Sequence, residues 1–393
     1  MAIRAKKITP LTAAEVDEKV APGMRIAAAW GWRVLVVIAL VAVICFLIVQ
    51  LRFVAIPVAV AILLSALLVP FSHLLQERLR FPRWLAVVTC LVALVVVVGG
   101  LVTLVVFQVR AGLPDLLQQT SLKLDELKQY LLASPLHLTD ADIDRYLDLD
   151  TILETLGADT GWLLTGALEV GSDLGHVVAG ALIAIFTTVF ILIDGRGMWQ
   201  WFVKLFPQNA RAAIVGAGEA GWITLTSFVT VQVLVAAVDA VFIGLGAFIL
   251  GMVVGTPFPL VIPIAILVFL ASFIPVVGAV LSGAIAVFVA LIYLGPVPAL
   301  VMLGIVILVQ QVEGHVLQPF LVGHAVKIHP VAIVLAVAVG GFVGGIAGAL
   351  FAVPLPAVLN VVIGYIARGE WRTNPHPTVA DVVPPTRGRV RAE

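Results

Sequence analysis

The feature that most constrains this chain is the scarcity of charge in its second half. Between residues 212 and 367 only four side chains are Asp, Glu, Lys or Arg: Glu219, Asp239, Glu313 and Lys327. The apolar runs between them match the ~20 residues that an α-helix needs to cross a bilayer. A charge at membrane depth is costly because lipid offers it no hydrogen-bond partner, so such groups usually line a pathway or binding site. The pattern predicts membrane-spanning helices around a few functional polar positions.

Composition extends this interpretation to the whole chain. The sequence has 393 residues, of which 62% are hydrophobic and 12% charged, and its mean hydropathy is +1.15. A soluble domain carries about 25% charged residues. Strands of a membrane barrel alternate over ~10 residues, whereas these apolar runs are longer and continuous. We predict an all-α integral membrane protein, a polytopic helical bundle of about eight transmembrane helices with re-entrant or broken segments.

Charge and hydropathy divide the chain into five regions. Residues 1–33 are too long for the charged front of a signal peptide, so we expect the first apolar run to remain as a transmembrane helix. The predicted regions are an N-terminal tail (1–33), transmembrane helices 1–3 (34–107), an acidic helical segment outside the membrane (108–175), a transport core of transmembrane helices with broken or re-entrant segments (176–366), and a disordered C-terminal tail (367–393).

The distribution of Lys and Arg predicts the orientation. The N-terminal tail carries six basic residues against three acids, and the turn at 77–83 and a loop expected at 194–224 are also basic. The segment 108–175 carries twelve acids against four bases. Because short loops rich in Lys and Arg stay in the cytoplasm, we predict that both termini are cytoplasmic and that the acidic segment lies outside.

Residues 310–330 form the predicted functional centre, because polar side chains and helix breakers occur there between two long apolar runs. The polar candidates for the permeation site are Gln311, Glu313, Gln318 and His329, and Glu313 is the one carboxylate of the segment. Pro319 and Pro330 are expected to keep the backbone broken, so that carbonyls and helix ends can bind a solute or ion. A cytoplasmic loop of merely solvated polar residues is the open alternative.

Two further features have both a functional and a structural interpretation. Asp239 lies deep in an apolar run, where it is either a carboxylate that binds a proton or cation or a helix contact to a polar neighbour. The glycines between 340 and 348, among them Gly345 and Gly348, recur three and four apart. They favour close helix packing, with a sliding or unwinding surface as the alternative.

The motifs of several functional classes are missing from the sequence. It has no His-Glu-x-x-His, no Gly-x-Ser-x-Gly and no phosphate-binding Gly-x-x-x-x-Gly-Lys. Its two cysteines, Cys45 and Cys90, lie inside apolar runs, so we expect neither a disulfide nor a metal site. We therefore predict a protein that is not an enzyme and has no cofactor, no metal and no nucleic-acid partner.

Several motifs of the second half resemble the autoinducer-2 exporter (AI-2E) family of bacterial permeases. The motifs, in chain order, are Gly255-x-Pro257, Phe273-Ile274-Pro275-x-x-Gly278-Ala279, Gln311-x-Glu313-Gly314-x-x-Leu317-Gln318-Pro319-x-x-Val322-Gly323, His329-Pro330 and Gly345-x-x-Gly348-x-x-x-Ala352-Val353-Pro354. Gln232 also fits the family pattern, whereas Asp239 does not belong to it. The resemblance covers residues 34–366.

The resemblance implies a multi-pass permease of the bacterial cytoplasmic (inner) membrane, with a large external segment after its third span. It assigns motif roles here to Pro275, Gly278, Glu313, Gln318, Pro319, Gly323, His329, Pro330 and Pro354. Some members are associated with export of the quorum-sensing signal autoinducer-2 and others with sodium/proton exchange. We therefore expect a secondary transporter of a small polar metabolite or other small solute. The alternatives are a sodium/proton antiporter and a non-transporting scaffold that presents segment 108–175 to a partner. Expected partners are the lipid bilayer, the solute or ion, and further copies in a homo-oligomer.

Overall fold

The computed structural model describes residues 22–132, 160–256, 258, 260–274, 277–317 and 330–382. Within these ranges the regular secondary structure is helical and contains no strand, which confirms the predicted fold class. Residues up to Ala55 form one compact unit, and residues from Ile56 onward form a second. The first unit holds helix α1 (Pro22–Gln50), whose described side chains are exposed, and the start of α2 (Arg52–Arg78).

Six helices in the described ranges are long and apolar enough to cross a membrane. A seventh crossing results if the bent pair Gly344–Phe351 and Pro354–Ala367, which meet at 45°, counts as one span. These helices confirm a polytopic membrane protein, and the number of eight crossings stays a prediction. The six stretches are Gly23–Leu40, Arg52–Arg78, Arg83–Gly112, Val178–Val203, Gln208–Val254 and Pro296–His315.

Helix α3 (Arg83–Leu132) is much longer than a membrane is thick. Its 50 residues extend over ~75 Å at 1.5 Å per residue, against a hydrocarbon core of ~30 Å. Its last turns therefore project from the membrane, where the sequence predicts the acidic segment. Leu116 on this projection packs against the main hydrophobic core of the second unit, so the extension belongs to the fold.

Helix α4 (Thr160–Val203) bends sharply at Asp194, where φ is −144° and ψ is 40°. The Asp194 carboxylate accepts a hydrogen bond of 3.2 Å from the backbone N–H of Gly197 and so caps the final turns of α4. After a short turn, α5 (Gln208–Val254) begins. The prediction of a loop at 194–224 is therefore wrong for most of that range.

The charges that suggested a loop at this position instead stabilise helix ends. The Arg211 side chain donates from Nε to the Phe206 carbonyl and from Nη2 to the Lys204 carbonyl, both at 2.9 Å. These carbonyls belong to the turn between α4 and α5, where the helix end leaves backbone acceptors without partners. Arg211 therefore fixes the turn from which α5 starts.

Helices α6 (Val261–Ala271) and α7 (Val277–Leu294) form a hairpin, called the first hairpin below. At its open end, Leu260 lies against Gly112 of α3, and Leu294 packs against the cluster that also holds Leu116. Both helices of the hairpin contact α3. The chain enters the bundle and returns to the side from which it came, as the expectation of re-entrant segments requires.

The closed end of the first hairpin, Ser272 to Ile274, is called its tip. Gly278 lies so close to the carbonyl of Ala271 that a Cβ at this position would overlap it. The Gly278 N–H donates to the Ile274 carbonyl at 2.8 Å. The hairpin can close this tightly because position 278 has no side chain.

Helix α8 (Pro296–Val312) runs back through the bundle beside α5 and α7. Ile305 of α8 fits against Gly246 of α5, and Val306 fits against Gly283 of α7. The two glycines leave room for the β-branched side chains and fix the register of α8. After α8 the backbone widens into one π-helical turn, Glu313–Leu317.

A second break lies within α9 (Pro330–Phe351), at Gly345, whose φ of 60° favours glycine. Gly340 and Gly348 touch backbone to backbone across this break, and a Cβ on either would overlap the other's carbonyl. Close packing by glycine, predicted from their spacing, is therefore seen at this pair. Helix α10 (Pro354–Ala367) follows.

Residues 368–382, expected to be disordered, are ordered in the structure. They contain a 3₁₀ turn (Glu370–Arg372) and a short helix α11 (Val379–Val382). Tyr365 and Trp371 form a hydrophobic cluster with Ala217 and Ala220 of α5. The prediction weighed arginine and proline content and missed this apolar anchor. Residues 383–393 lie outside the described ranges.

Candidate transport site

The site is built around Asp239, which lies on α5 with only 2% of its surface exposed. The tip of the first hairpin covers it: Ser272 Oγ lies 3.4 Å from Asp239 Oδ2. Gln232, two helical turns earlier on the same face of α5, donates from Nε2 to the Ser272 carbonyl at 2.7 Å. Two polar side chains of α5 therefore hold the point at which α6 ends.

The hydrogen bonds of this site are incompletely satisfied. Ser272 Oγ carries one proton, and it lies 2.8 Å from the Val268 carbonyl as well as 3.4 Å from Asp239. The shorter contact has the better geometry for the hydroxyl proton. The other carboxylate oxygen, Asp239 Oδ1, is buried and has no hydrogen-bond partner within the described ranges. A buried carboxylate in this position is poorly stabilised unless it gains a proton or a ligand.

Glu313 lies at the same depth as Asp239. Asp239 precedes the end of α5 at Val254 by 15 residues (254 − 239), which is ~22 Å of helix. Glu313 follows the start of α8 at Pro296 by 17 residues (313 − 296), which is ~26 Å. The first hairpin links these two helix ends and both of its helices contact α3, so we infer that the ends lie on the same side, with Gly246 meeting Ile305 midway. The π-helical turn that begins at Glu313 contacts α5, the helix that carries Asp239.

The π-helical turn places Glu313 half-buried at the end of α8. Such turns leave part of the regular backbone hydrogen-bonding pattern unmade and occur often at functional sites. Gln311 is exposed, and its carbonyl oxygen lies 3.1 Å from Nδ1 of His315. Of the predicted polar residues, the structure therefore brings the turn of Glu313 against the helix of Asp239 and leaves Gln311 exposed in the last turn of α8.

The remaining predicted residues divide into two groups. Gly278 closes the first hairpin, Gly345 and Gly348 form the second break, and Pro354 is buried at the start of α10. Pro330 starts α9. The others lie outside the described residues: Pro275, Gln318, Pro319, Gly323 and His329.

The sequence reasoning missed Ser272 as a site residue and used Gln232 only as part of a family pattern. A serine directly before a Phe-Ile-Pro break was the available signal for Ser272. The breaks also meet in space, because Ile274 of the first tip packs with Val337 and Ala349 from the two sides of the second break. No group of three His, Cys, Asp or Glu that could hold a metal ion occurs in the described ranges.

This arrangement can bind a proton, a monovalent cation or the polar groups of a solute at membrane depth. A bundle of membrane-crossing helices with two broken segments and two carboxyl groups on contacting elements defines a membrane transport protein. The sequence profile of the AI-2E family transporter matches residues 34–368. The chain belongs to this family.

Individual relatives agree with this assignment. A protein of Mycobacterium tuberculosis named “Putative transport protein” is 38% identical over 366 residues, covering 93% of this chain and 96% of the relative. “Putative transport protein YueF” of Bacillus subtilis is 27% identical over 79% of this chain and 84% of its own. “AI-2 transport protein TqsA” of Escherichia coli is 22% identical over 80% of this chain and 87% of its own.

Proposed function

We propose that this transporter exports a small polar solute of the autoinducer-2 type across a bacterial cytoplasmic membrane, with both termini inside the cell. The observation that carries the proposal is the position of Glu313, half-buried on a π-helical turn within the apolar span Pro296–His315, where the turn contacts α5, the helix of Asp239. A hydroxylated solute needs hydrogen-bond acceptors there, because lipid supplies none. The name of the Escherichia coli relative supports autoinducer-2 as the first solute to test.

Glu313 and Gln311 are proposed to contact the solute, together with Gln318 and His329 of the following segment. Pro319 and Pro330 are proposed to keep that segment from closing into a regular helix. The first hairpin and the break at Gly345 would then form the wall of the pathway opposite α8. Their contact through Ile274 supports this arrangement.

The proposal is tested by flux of labelled autoinducer-2 in proteoliposomes that contain wild-type protein or Glu313→Gln. We expect a loss of roughly tenfold or more, because a hydrogen bond to a charged group contributes ~1.5–3 kcal/mol and tenfold corresponds to ~1.4 kcal/mol. Glu77→Gln is the matched control, since Glu77 is exposed at the end of α2. Wild-type flux in Glu313→Gln would overturn the assignment of this residue.

A sodium/proton antiporter is the second candidate function. The observation that favours it is a buried carboxyl group on α5, Asp239, with a half-buried one, Glu313, on the turn that contacts α5, since two carboxyl groups within apolar spans suit exchange of one cation for another. Labelled sodium uptake driven by a proton gradient, without any organic solute, separates the two candidates. Sodium exchange at a rate above that of solute flux would favour the antiporter.

A further inference from the structure

We propose that Asp239, Ser272 and Gln232 form a proton-binding site that holds the tip of the first hairpin against α5, so that loss of the proton from Asp239 releases the tip. The inference rests on the proposed function for its role in transport. The binding chemistry follows from the surroundings of Asp239 and can be tested without any solute.

The hydroxyl of Ser272 determines which form of Asp239 fits. Its single proton can serve one acceptor at a time, and the Val268 carbonyl at 2.8 Å is closer than Asp239 Oδ2 at 3.4 Å, which leaves a lone pair of Ser272 Oγ for Asp239. If Asp239 were ionised, its Oδ2 would face the lone pairs of Ser272 Oγ, and two hydrogen-bond acceptors would lie against each other without a proton between them. A carboxylic acid would donate its own proton to Ser272 Oγ and complete a chain of hydrogen bonds from Asp239 to Val268.

The second oxygen of Asp239 gives an independent reason. Oδ1 is buried without a hydrogen-bond partner in the described part of the chain, and only 2% of the surface of Asp239 is exposed. The cost of an unpartnered oxygen is far smaller for a neutral acid than for an ionised carboxylate. Glu313 adds a second negative charge nearby, which further favours a neutral Asp239.

Among the described residues, His315 of the π-helical turn is exposed and its Nδ1 lies 3.1 Å from the Gln311 carbonyl, and a second group of ionisable side chains lies far from Asp239. Glu219 of α5 and His376, Tyr365 and Glu370 of the C-terminal part meet near the start of α5. Position 219 precedes Asp239 by 20 residues (239 − 219), which is ~30 Å of helix. Among the described residues of α6, α7 and α8, none that faces Asp239 is basic.

Gln232 makes the site a latch for the hairpin, because its 2.7 Å bond to the Ser272 carbonyl positions the tip whether or not Asp239 is protonated. Ionisation of Asp239 would then remove the second attachment of the tip and set two negative charges against each other. The tip would be held by Gln232 alone. Proton release is thereby coupled to movement of a segment that touches both helix breaks.

A proton and a sodium ion are the two monovalent cations that could neutralise Asp239, and the described oxygens favour the proton. Sodium requires several oxygen ligands at once, whereas the Val268 and Ser272 carbonyls each already accept one hydrogen bond, from Ser272 Oγ and Gln232, and keep one lone pair each. A proton needs only the one acceptor that Ser272 Oγ offers. The experiment distinguishes the two by adding sodium at constant pH.

The direct test is infrared spectroscopy of the purified full-length protein in lipid, in the carboxylic acid C=O region, as pH is varied. We expect a band of a buried protonated carboxyl at neutral pH that disappears in Asp239→Asn and persists in Asp381→Asn, where the substituted group is exposed. Absence of the band from wild-type protein, or its persistence in Asp239→Asn, would overturn the proposal. Loss of the band on addition of sodium at constant pH would also overturn it, in favour of a sodium site.

The role in transport is tested by two fluxes measured on the same vesicles. Flux of labelled autoinducer-2 is measured as exchange between equal pools and as accumulation driven by a pH gradient, and Asp239→Asn should lose the gradient-driven accumulation. Ser272→Ala, which removes the acceptor but leaves the carboxyl, should shift the pH at which gradient-driven flux is half-maximal. An unchanged pH profile in both variants would contradict coupling through this site. Absence of any solute flux in wild type would contradict the proposed function. The proton site would then be tested by the infrared measurement alone.

Discussion

Asp239 and Asp381 each lie beside a hydroxyl and an amide side chain, yet their surroundings give them opposite chemistry. Asp381 Oδ2 accepts three hydrogen bonds, from the Thr378 N–H at 2.8 Å, the Thr378 hydroxyl at 2.7 Å and Asn374 Nδ2 at 3.0 Å. Asp239 is buried, has one long contact at 3.4 Å and leaves Oδ1 without a described partner.

The comparison shows that the direction of the donors matters more than the kinds of residue present. At Asp381 the donors converge on one oxygen, so the ionised form is stabilised and the carboxylate has a structural role at a chain turn. At Asp239 the Ser272 proton and the Gln232 amide are both directed at backbone carbonyls. A carboxyl group left without donors at membrane depth is a typical functional group.

The largest effect is expected from opening the tip that buries Asp239. Gly278→Val would force side-chain atoms into the Ala271 carbonyl, and overpacking in a closed contact costs ~1–3 kcal/mol or more. We expect loss of folded protein, or of all flux, measured by size-exclusion chromatography in detergent and by proteoliposome assay. Gly304→Val is the matched control, because a Cβ at Gly304 meets no atom within 4 Å. Equal behaviour of the two variants would show that the tight tip is unnecessary.

A smaller effect is expected from replacing Asp239 by an apolar residue, and the Tm should not fall as it does for most substitutions of buried residues. Asp239→Val removes a buried polar group with an unpartnered oxygen, and such changes can be nearly neutral or stabilising. We expect a Tm in detergent equal to or above that of wild type, together with loss of gradient-driven flux. Asp381→Ala, which removes the acceptor of three hydrogen bonds, should lower the Tm or leave it unchanged while flux persists. A marked fall in Tm for Asp239→Val would indicate a structural role for this carboxyl group.

The sequence predicted the fold class and the existence of helix breaks, because these follow from local properties. Scarcity of charge between 212 and 367 dictates membrane helices, and the Pro and Gly residues near 275 and 345 interrupt them. The sequence also singled out Asp239 and Glu313 separately. The sequence could not show that the two residues lie on contacting elements. That contact depends on the register between α5 and α8, which Gly246 and Ile305 fix across 59 residues (305 − 246).

Two other misses have similar physical causes. Ser272 is an ordinary residue at a helix end, and only the approach of Asp239 from a helix 33 residues away makes it part of a site. The C-terminal segment has a composition typical of disorder, yet Tyr365 and Trp371 bind it to α5. Local composition describes what a segment can do alone, whereas both features depend on a distant surface.

The smallest effect is expected at Asp381 and depends on pH. Donation from the Thr378 hydroxyl, then from its backbone N–H and from Asn374, lowers the pKa of Asp381 below its ordinary value. A carboxyl group whose pKa is lowered by folding stabilises the folded segment above the ordinary value, which is near 3.9 for Asp, and this contribution is lost as pH falls through the folded pKa. Opening of residues 374–382 should therefore increase in acid. The measurement compares the rate of proteolysis in this segment at pH 6 and near pH 3. In Asp381→Asn the acid-dependent increase should be smaller, and Glu370→Gln should behave as wild type. If Asp381→Asn retains the full acid response, the converging donors do not hold this segment, and the contrast with Asp239 would rest on burial alone.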